Sequence, residues 1–168
     1  MHNIKLRKAS FLDLPFIFYQ IYDDSLDGVF ADRFNSRKGL VILFSFLFAY
    51  LIPFKRYLFN TSKIQEAHVY GDNQYDFGFI ITQILQQKNN ASKEVTIVAT
   101  AIRPSHRGKG LGKMMIKSFM ESLDNNTVVH AYCTKYARTM QHILRKLKFI
   151  RDKNHVAGLE HFYMVIHH

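Results

Sequence analysis

The sequence predicts a mixed α+β fold, a sheet with helices packed on it. Three observations predict it: β-type alternation early in the chain, several strands arriving one after another as a meander, and later strands alternating with amphipathic helices. The order read along the chain is β, α, α, β, β, β, α, β, α, β. The length of 168 residues fits one domain over 1–168 with a sizeable core. No repeat, linker or low-complexity tract divides it.

Ile4 to Ala9 alternates apolar and basic residues, as a short strand does. Ser10 offers a helix cap, with Asp13 three residues later, and Phe11 to Tyr22 reads as a helix with Pro15 in its early turns. Asp23-Asp24-Ser25 and Asp27-Gly28 mark a break. A second helix is expected over Ser36 to Phe48, before Pro53. Ala67 to Tyr70 and Tyr75 to Leu85, joined through Gly71-Asp72-Asn73-Gln74, read as a hairpin, and Gln86 to Ser92 as a polar turn.

Glu94 to Ile102 alternates, with Val95, Ile97, Ala99 and Ala101 expected on one face and Thr96, Val98, Thr100 and Ile102 on the other. Gly110 to Leu123 is the clearest helix, with Leu111, Met114, Met115, Phe119 and Leu123 in one stripe. Thr127 to Cys133 is a strand. Thr139 to Leu147 is a helix with Met140, Ile143, Leu144 and Leu147 facing inward, and Leu159 to Ile166 closes the chain as a strand.

Composition narrows the function classes. One cysteine, Cys133, rules out an intrachain disulfide and fits a reducing compartment, so a cytoplasmic protein is expected. The N-terminus lacks the apolar run of a signal peptide. The most apolar stretch, Leu40 to Ile52, falls short of the roughly 20 residues a membrane-crossing helix needs, so it reads as a buried helix and no transmembrane span is expected. Arg37, Lys38, Lys55 and Arg56 beside it keep an acyl-chain pocket or a membrane-surface contact as the alternative. The formal net charge of +10 favours a polyanionic partner: nucleic acid, anionic lipid or a ligand with several phosphates. No nucleic-acid-binding motif accompanies that charge, so no specific nucleic acid is expected. No helix carries a His or Cys pair at ligand spacing, so no metal is expected.

The segment that carries chemistry runs from Val95 to Met114, where a strand enters a glycine-rich loop that opens a helix. Gly108, Gly110 and Gly112 let the backbone turn tightly and approach a ligand closely. The first amides of the following helix lack intrahelical partners and sit at its positive dipole end, which suits a pyrophosphate. Arg107 and Lys113 add positive charge on either side. A P-loop would need Gly at 107 and Ser or Thr at 114, where the chain has Arg107 and Met114. A dinucleotide fingerprint starting at Gly108 would need a glycine at 113, where the chain has Lys113.

The run Ala101-Ile102-Arg103-Pro104-Ser105-His106-Arg107-Gly108-Lys109-Gly110-Leu111-Gly112 resembles the acetyl-CoA motif of the GNAT superfamily, Gln/Arg-x-x-Gly-x-Gly/Ala, with Arg107, Gly110 and Gly112 in its defined positions. The stretch from Arg7 to Pro15 is similar to that family's first strand and helix entry, and Ile143 to Phe149 to its late helix end. The resemblance implies an acyl-CoA N-acyltransferase fold, with a central, mostly antiparallel sheet of six to seven strands and about four flanking helices. It implies acetyl-CoA as cosubstrate and a small-molecule or protein amine as acceptor. Amides from Arg107 through Gly108, Lys109, Gly110 and Leu111 to Gly112, with Lys113 beside them, would cradle the pyrophosphate. Thr100, Ala101 and Ile102 would pair with the pantetheine arm, on a strand that bulges and splays from Thr127–Cys133. A backbone amide near Thr100 would stabilise the oxyanion.

The family pattern breaks where proton transfer is concerned. Its usual tyrosine aligns with Leu144, its asparagine with Ala137 and its glycine with Lys148. Tyr136 is the candidate replacement acid, with water as the alternative. The family's usual glutamate aligns with Thr96; Glu94, two residues earlier on the same face, is a candidate base. His130 is a second candidate, since its ordinary pKa suits proton transfer near neutrality. Cys133 reads as a core residue. Two other readings stand beside the enzyme: a CoA-binding sensor without catalysis, and a basic nucleic-acid binder. The aromatic region from Phe11 to Lys63 would select the acceptor, form a homodimer interface, or simply pack as core.

Overall fold

The computed structural model describes residues 4–26, 63–72, 74–86, 93–152 and 158–167. The helix expected over Ser36–Phe48, the apolar stretch Leu40–Ile52 and most of the aromatic acceptor region lie outside these residues.

Among the described residues, seven strands form one sheet in the order β1-β2-β3-β4-β5-β7-β6. The strands are β1 (Lys5–Lys8), β2 (Lys63–Gly71), β3 (Asp76–Gln86), β4 (Lys93–Ile102), β5 (Val128–Cys133), β6 (Ile150–Arg151) and β7 (Glu160–Val165). Every neighbouring pair is antiparallel except β4 with β5, which run parallel. Three α-helices fall among the described residues, against about four expected: α1 (Leu14–Leu26), α2 (Leu111–Glu121) and α3 (Arg138–Lys146). The short β6 is an element that the alternation pattern did not announce.

The sheet has an apolar core on each face. On one, Leu14, Ile17 and Ile21 of α1 pack on Ala67, Val69, Phe79, Ile81 and Ala101. On the other, Ile116 and Phe119 of α2 and Leu144 of α3 pack on Ile80, Val95, Ile97, Val129, Ala131 and Phe162. Burial on this scale stabilises by about 2 kcal/mol per large side chain, which holds both layers to the sheet.

Entry to α1 is set by Asp13, which accepts from the Ser10 N–H at 2.6 Å and from the Arg7 guanidinium at 2.7 and 2.8 Å. The hydrogen bond from Arg7 holds the Asp13 carboxyl below its ordinary pKa. The helix then runs through Asp23-Asp24-Ser25, where the sequence promises a break. One local and one tertiary partner account for that: the Ser25 hydroxyl donates to the Tyr22 carbonyl of the same helix at 2.7 Å, and Asp24 is ion-paired across 83 residues with Arg107.

β4 departs from simple alternation. Ile81 and Thr82 are consecutive on β3, yet face Ala99 and Ile97, so Val98 is an inserted residue. The bulge exchanges the faces of β4. Val95 and Ile97 point to α2 and α3, whereas Ala99 and Ala101 join the α1 core, which corrects the single shared face expected for these four. A second correction concerns α2, whose inward stripe is Met115, Ile116 and Phe119, while Met114 is 49% exposed. The helical period sets Gly112, Met115, Ile116 and Phe119 on one face. A Cβ on Gly112 would lie 3.2 Å from Ile143 Cδ1 and 3.5 Å from Ile102 Cγ1, so its absence lets that side of the helix close onto its neighbours.

Candidate active site

The bulge opens β4 towards β5. Parallel pairing joins Glu94, Val95, Thr96 and Ile97 to Val128, Val129, His130 and Ala131, and stops there. β5 continues to Cys133 against β7, and β4 to Ile102 against β3. From Ala99 onward, therefore, β4 has a partner strand on one edge only among the described residues. Thr100, Ala101 and Ile102 lie on this divergent arm, with Thr100 Oγ1 donating to the Phe79 carbonyl at 3.0 Å. The fork places an extended backbone edge beside a gap, an arrangement that can pair with an extended, amide-containing ligand.

The arm leads into the glycine loop. Arg103 N–H donates to the Phe77 carbonyl at 2.7 Å, its guanidinium lies 4.7 Å over the Phe16 ring, and Pro104–His106 form a single 3₁₀ turn. Gly108 and Gly110 both have φ of 76°, in the left-handed region that disfavours side chains, and a Cβ on either would meet nothing within 4 Å. Gly110 is the cap residue of α2, whose first internal bond runs from Met114 N–H to the Gly110 carbonyl at 3.2 Å. The amides of Gly108, Lys109, Gly110, Leu111, Gly112 and Lys113 have no protein acceptor among the described residues. Open space at Gly108 and Gly110, followed by the uncapped amides of a helix N-terminus, is a geometry suited to an anion.

Arg107 has a different part. Its N–H donates to the Pro104 carbonyl at 3.2 Å and its Nε to the Ile102 carbonyl at 2.8 Å, while a terminal nitrogen pairs with Asp24. The structure thus uses Arg107 to brace the loop onto α1, and the open run of amides begins one residue later. Burial pushes the Asp24 carboxyl up, against the pull of Arg107. Lys109 turns back, its Nζ donating to the Ser105 carbonyl at 3.2 Å, and Lys113 is exposed.

The three proton-transfer candidates are not brought to one point. His130 faces Thr96, one pair before the fork closes. Glu94 lies three residues below the last pair, about 10 Å along the strand at 3.3 Å per residue. Tyr136 follows β5 on the far arm, is 58% exposed, and has Lys135 Nζ 5.0 Å from its ring. Leu144 is fully buried, so the helix position where the resemblance puts an acid belongs to the core. Cys133 is buried too, and burial pushes its thiol up to about 12, which makes it a poor nucleophile. Lys148 takes a left-handed φ of 66° at the position where the resemblance puts glycine.

Comparisons with known proteins bear on this geometry. The pattern of the Acetyltransferase (GNAT) family matches residues 43–149, well over half of the chain and inclusive of the fork and the loop. The chain belongs to the GNAT acetyltransferase family. Acetyl-CoA is the cosubstrate of that family, and the open space at Gly108 and Gly110 leaves room for a diphosphate there. No curated protein matches by sequence. Among solved structures, a GNAT-family acetyltransferase from Streptococcus agalactiae superposes with a TM-score of 0.71 at 14% identity, covering 100% of this chain and 99% of the other. An acetyltransferase from Thermus thermophilus gives 0.67 at 15%, covering 99% and 100%. Spermidine N-acetyltransferase from Vibrio cholerae, in complex with CoA and spermine, gives 0.61 at 14%, covering 96% and 95%. At these identities the likeness is one of fold.

Sequence reasoning missed Asp24, His161 and Asp152. Asp24 carried a helix-breaking signal. His161 meets His130 only through the register of β5 with β7, and Asp152 meets His161 only because β6 runs beside β7. No spacing along the chain announces either contact.

Proposed function

We propose that the chain is an N-acetyltransferase that moves the acetyl group of acetyl-CoA to a primary amine by direct attack while both substrates are bound. One observation carries this reading: a strand whose pairing with β5 stops at Ile97 leads into an open glycine turn, and the amides from Gly108 to Lys113 have no protein acceptor among the described residues. Acetyl-CoA supplies an activated thioester. The amides from Gly108 to Lys113 hold the diphosphate, and the free edge of β4 at Thr100, Ala101 and Ile102 aligns the arm that bears the thioester. Fixing both reactants at the fork replaces a bimolecular encounter by an oriented one. The amine acceptor approaches the sheet face that carries Glu94, Thr96 and His130. A single buried thiol at Cys133 suits a reducing setting such as the cytoplasm.

Acetyl-CoA is expected to raise the melting temperature progressively with its concentration. Free thiol is then expected when acetyl-CoA meets a panel of polyamines, amino acids, aminoglycosides and peptide N-termini. Absence of any melting shift rejects the cradle. A shift without thiol release from any amine turns the reading towards a CoA-binding sensor.

A further inference from the structure

The sheet face opposite α2 and α3 carries a chain of polar rings that neither the fold nor the cradle requires. Along β5, Val129, Ala131 and Cys133 enter the α2–α3 core, so Val128, His130 and Tyr132 face the other way. On β7, Phe162 enters the same core, so His161 and Tyr163 share the face of His130. His130 Nδ1 lies 3.0 Å from His161 Nε2, and His161 Nδ1 lies 3.2 Å from Asp152 Oδ2. The two imidazoles are tilted by 20° with centroids 5.2 Å apart, and the Tyr132 ring stacks on His161 at 4.7 Å and 11°. The His161 side chain is only 12% exposed.

We propose that His130, His161 and Asp152 form a proton relay in which His130 Nε2 is the base that accepts the proton of the incoming amine. The proposal rests on the acetyltransfer reading above. Direction follows from hydrogen-bond chemistry. An ionised carboxylate only accepts, so His161 carries its proton on Nδ1. His161 Nε2 then holds a lone pair and accepts from His130 Nδ1–H. That leaves the lone pair of His130 on Nε2, one strand pair below the fork. As the N–C bond forms, the amine proton passes to His130 Nε2, and the C–S bond breaks with its electron pair on sulfur. Solvent carries the proton from His130 to the thiolate. The cation held meanwhile on His130 is stabilised through His161 by the Asp152 carboxylate, so His161 and Asp152 are positioning residues.

Among the described residues, the charged and titratable groups facing His130 are Glu94 from β4, Tyr132 on its own strand, and His161 and Tyr163 from β7. Burial pulls the His130 pKa below its ordinary value, as would a positive charge on His161 were that ring protonated, and Glu94 pulls it back. His130 is therefore neutral at pH 7, and the acid limb of activity lies on the low side of an ordinary histidine.

The test uses the full chain with acetyl-CoA and an equimolar mixture of spermidine, lysine, kanamycin and alanyl-lysine, read as thiol release against pH. His130→Gln is expected to lose about 100-fold in kcat/KM and the acid limb with it. Asp152→Asn, nearly isosteric, is expected to lose about tenfold and to move the acid limb to lower pH, because the anion that stabilised the cation is gone. Asp152→Glu is expected to restore both, and the acetyl-CoA melting shift is expected to persist in all three. In the unmodified protein, ¹⁵N-histidine spectra are expected to show both Nδ1 atoms protonated and both Nε2 atoms bare. The opposite tautomer on either ring overturns the relay without any variant having to fold. Thiol release untouched by His130→Gln and Asp152→Asn overturns the relay and leaves acetyltransfer standing. No thiol release by the unmodified protein from any amine of the mixture overturns both.

Discussion

Gly108 and Gly110 share with Lys148 a left-handed backbone, φ of 76° at the first two and 66° at the third. One residue type was needed in the loop and not at the end of α3. At Lys148 the left-handed turn closes a helix: Phe149 N–H donates to the Leu144 carbonyl and Lys148 N–H to the Arg145 carbonyl, both at 3.0 Å. Leu144 and Phe149 seal this end in the core. The exposed lysine side chain meets no obstacle, and the helix end tolerates its strain. In the loop the same turn sets Gly108 and Gly110 where an added Cβ meets only open space, ahead of helix amides with no protein acceptor among the described residues. Positive φ alone does not explain glycine; positive φ together with unspent donors does.

That contrast can be broken experimentally. The largest effect is expected from Gly110→Val, where a branched Cβ in the left-handed region also fills the cradle. Its acetyl-CoA affinity, measured by calorimetry, should fall by at least about 100-fold, or roughly 2.8 kcal/mol. Retained affinity would place the diphosphate elsewhere.

Next comes Arg107→Ala, which strips the loop brace and leaves Asp24 buried without its partner. Stability in urea should drop by about 2 kcal/mol, below the range for fully buried pairs because Arg107 is half-exposed, and affinity should fall about tenfold. Adding Asp24→Asn should recover most of the stability and little of the affinity.

Lys148→Gly should run the other way. Relieving the left-handed strain should raise stability by about 1 kcal/mol with acetyl-CoA affinity unchanged. Smallest of all is Gly112→Ala. Its Cβ crowds the tip of Ile143 but leaves the amide in place, so stability should move by less than about 1 kcal/mol and affinity by under about threefold. A large affinity loss there would mean that Gly112 serves the ligand rather than helix packing.

Legibility in the sequence followed the range of the forces involved. The Leu111–Glu121 helix and the hairpin of β2 with β3 were visible because periodicity and turn residues are local signals. Glycines ahead of an amphipathic helix made the cradle visible for the same reason. The inward stripe of α2 was half right: Met115 and Phe119 follow from spacing, but Ile116 rather than Met114 packs beside them, on the side where Gly112 approaches Ile143. Alternation along β4 failed at Val98, because a bulge is a property of a strand pair and no single strand encodes it. The supposed break at Asp23–Ser25 failed because Arg107, far along the chain, supplies the partner that keeps Asp24 helical.

By itself the sequence determined the glycine turn ahead of α2, the strand leading into it, the mixed α+β class and the family. Each is written in contiguous residues whose local geometry has few alternatives. Only the tertiary structure decided where β4 parts from β5, that Arg107 braces the loop instead of standing free, and that His130 meets His161 and Asp152 across two strand registers. Those outcomes depend on pairings between distant segments, settled by the burial of two opposed cores.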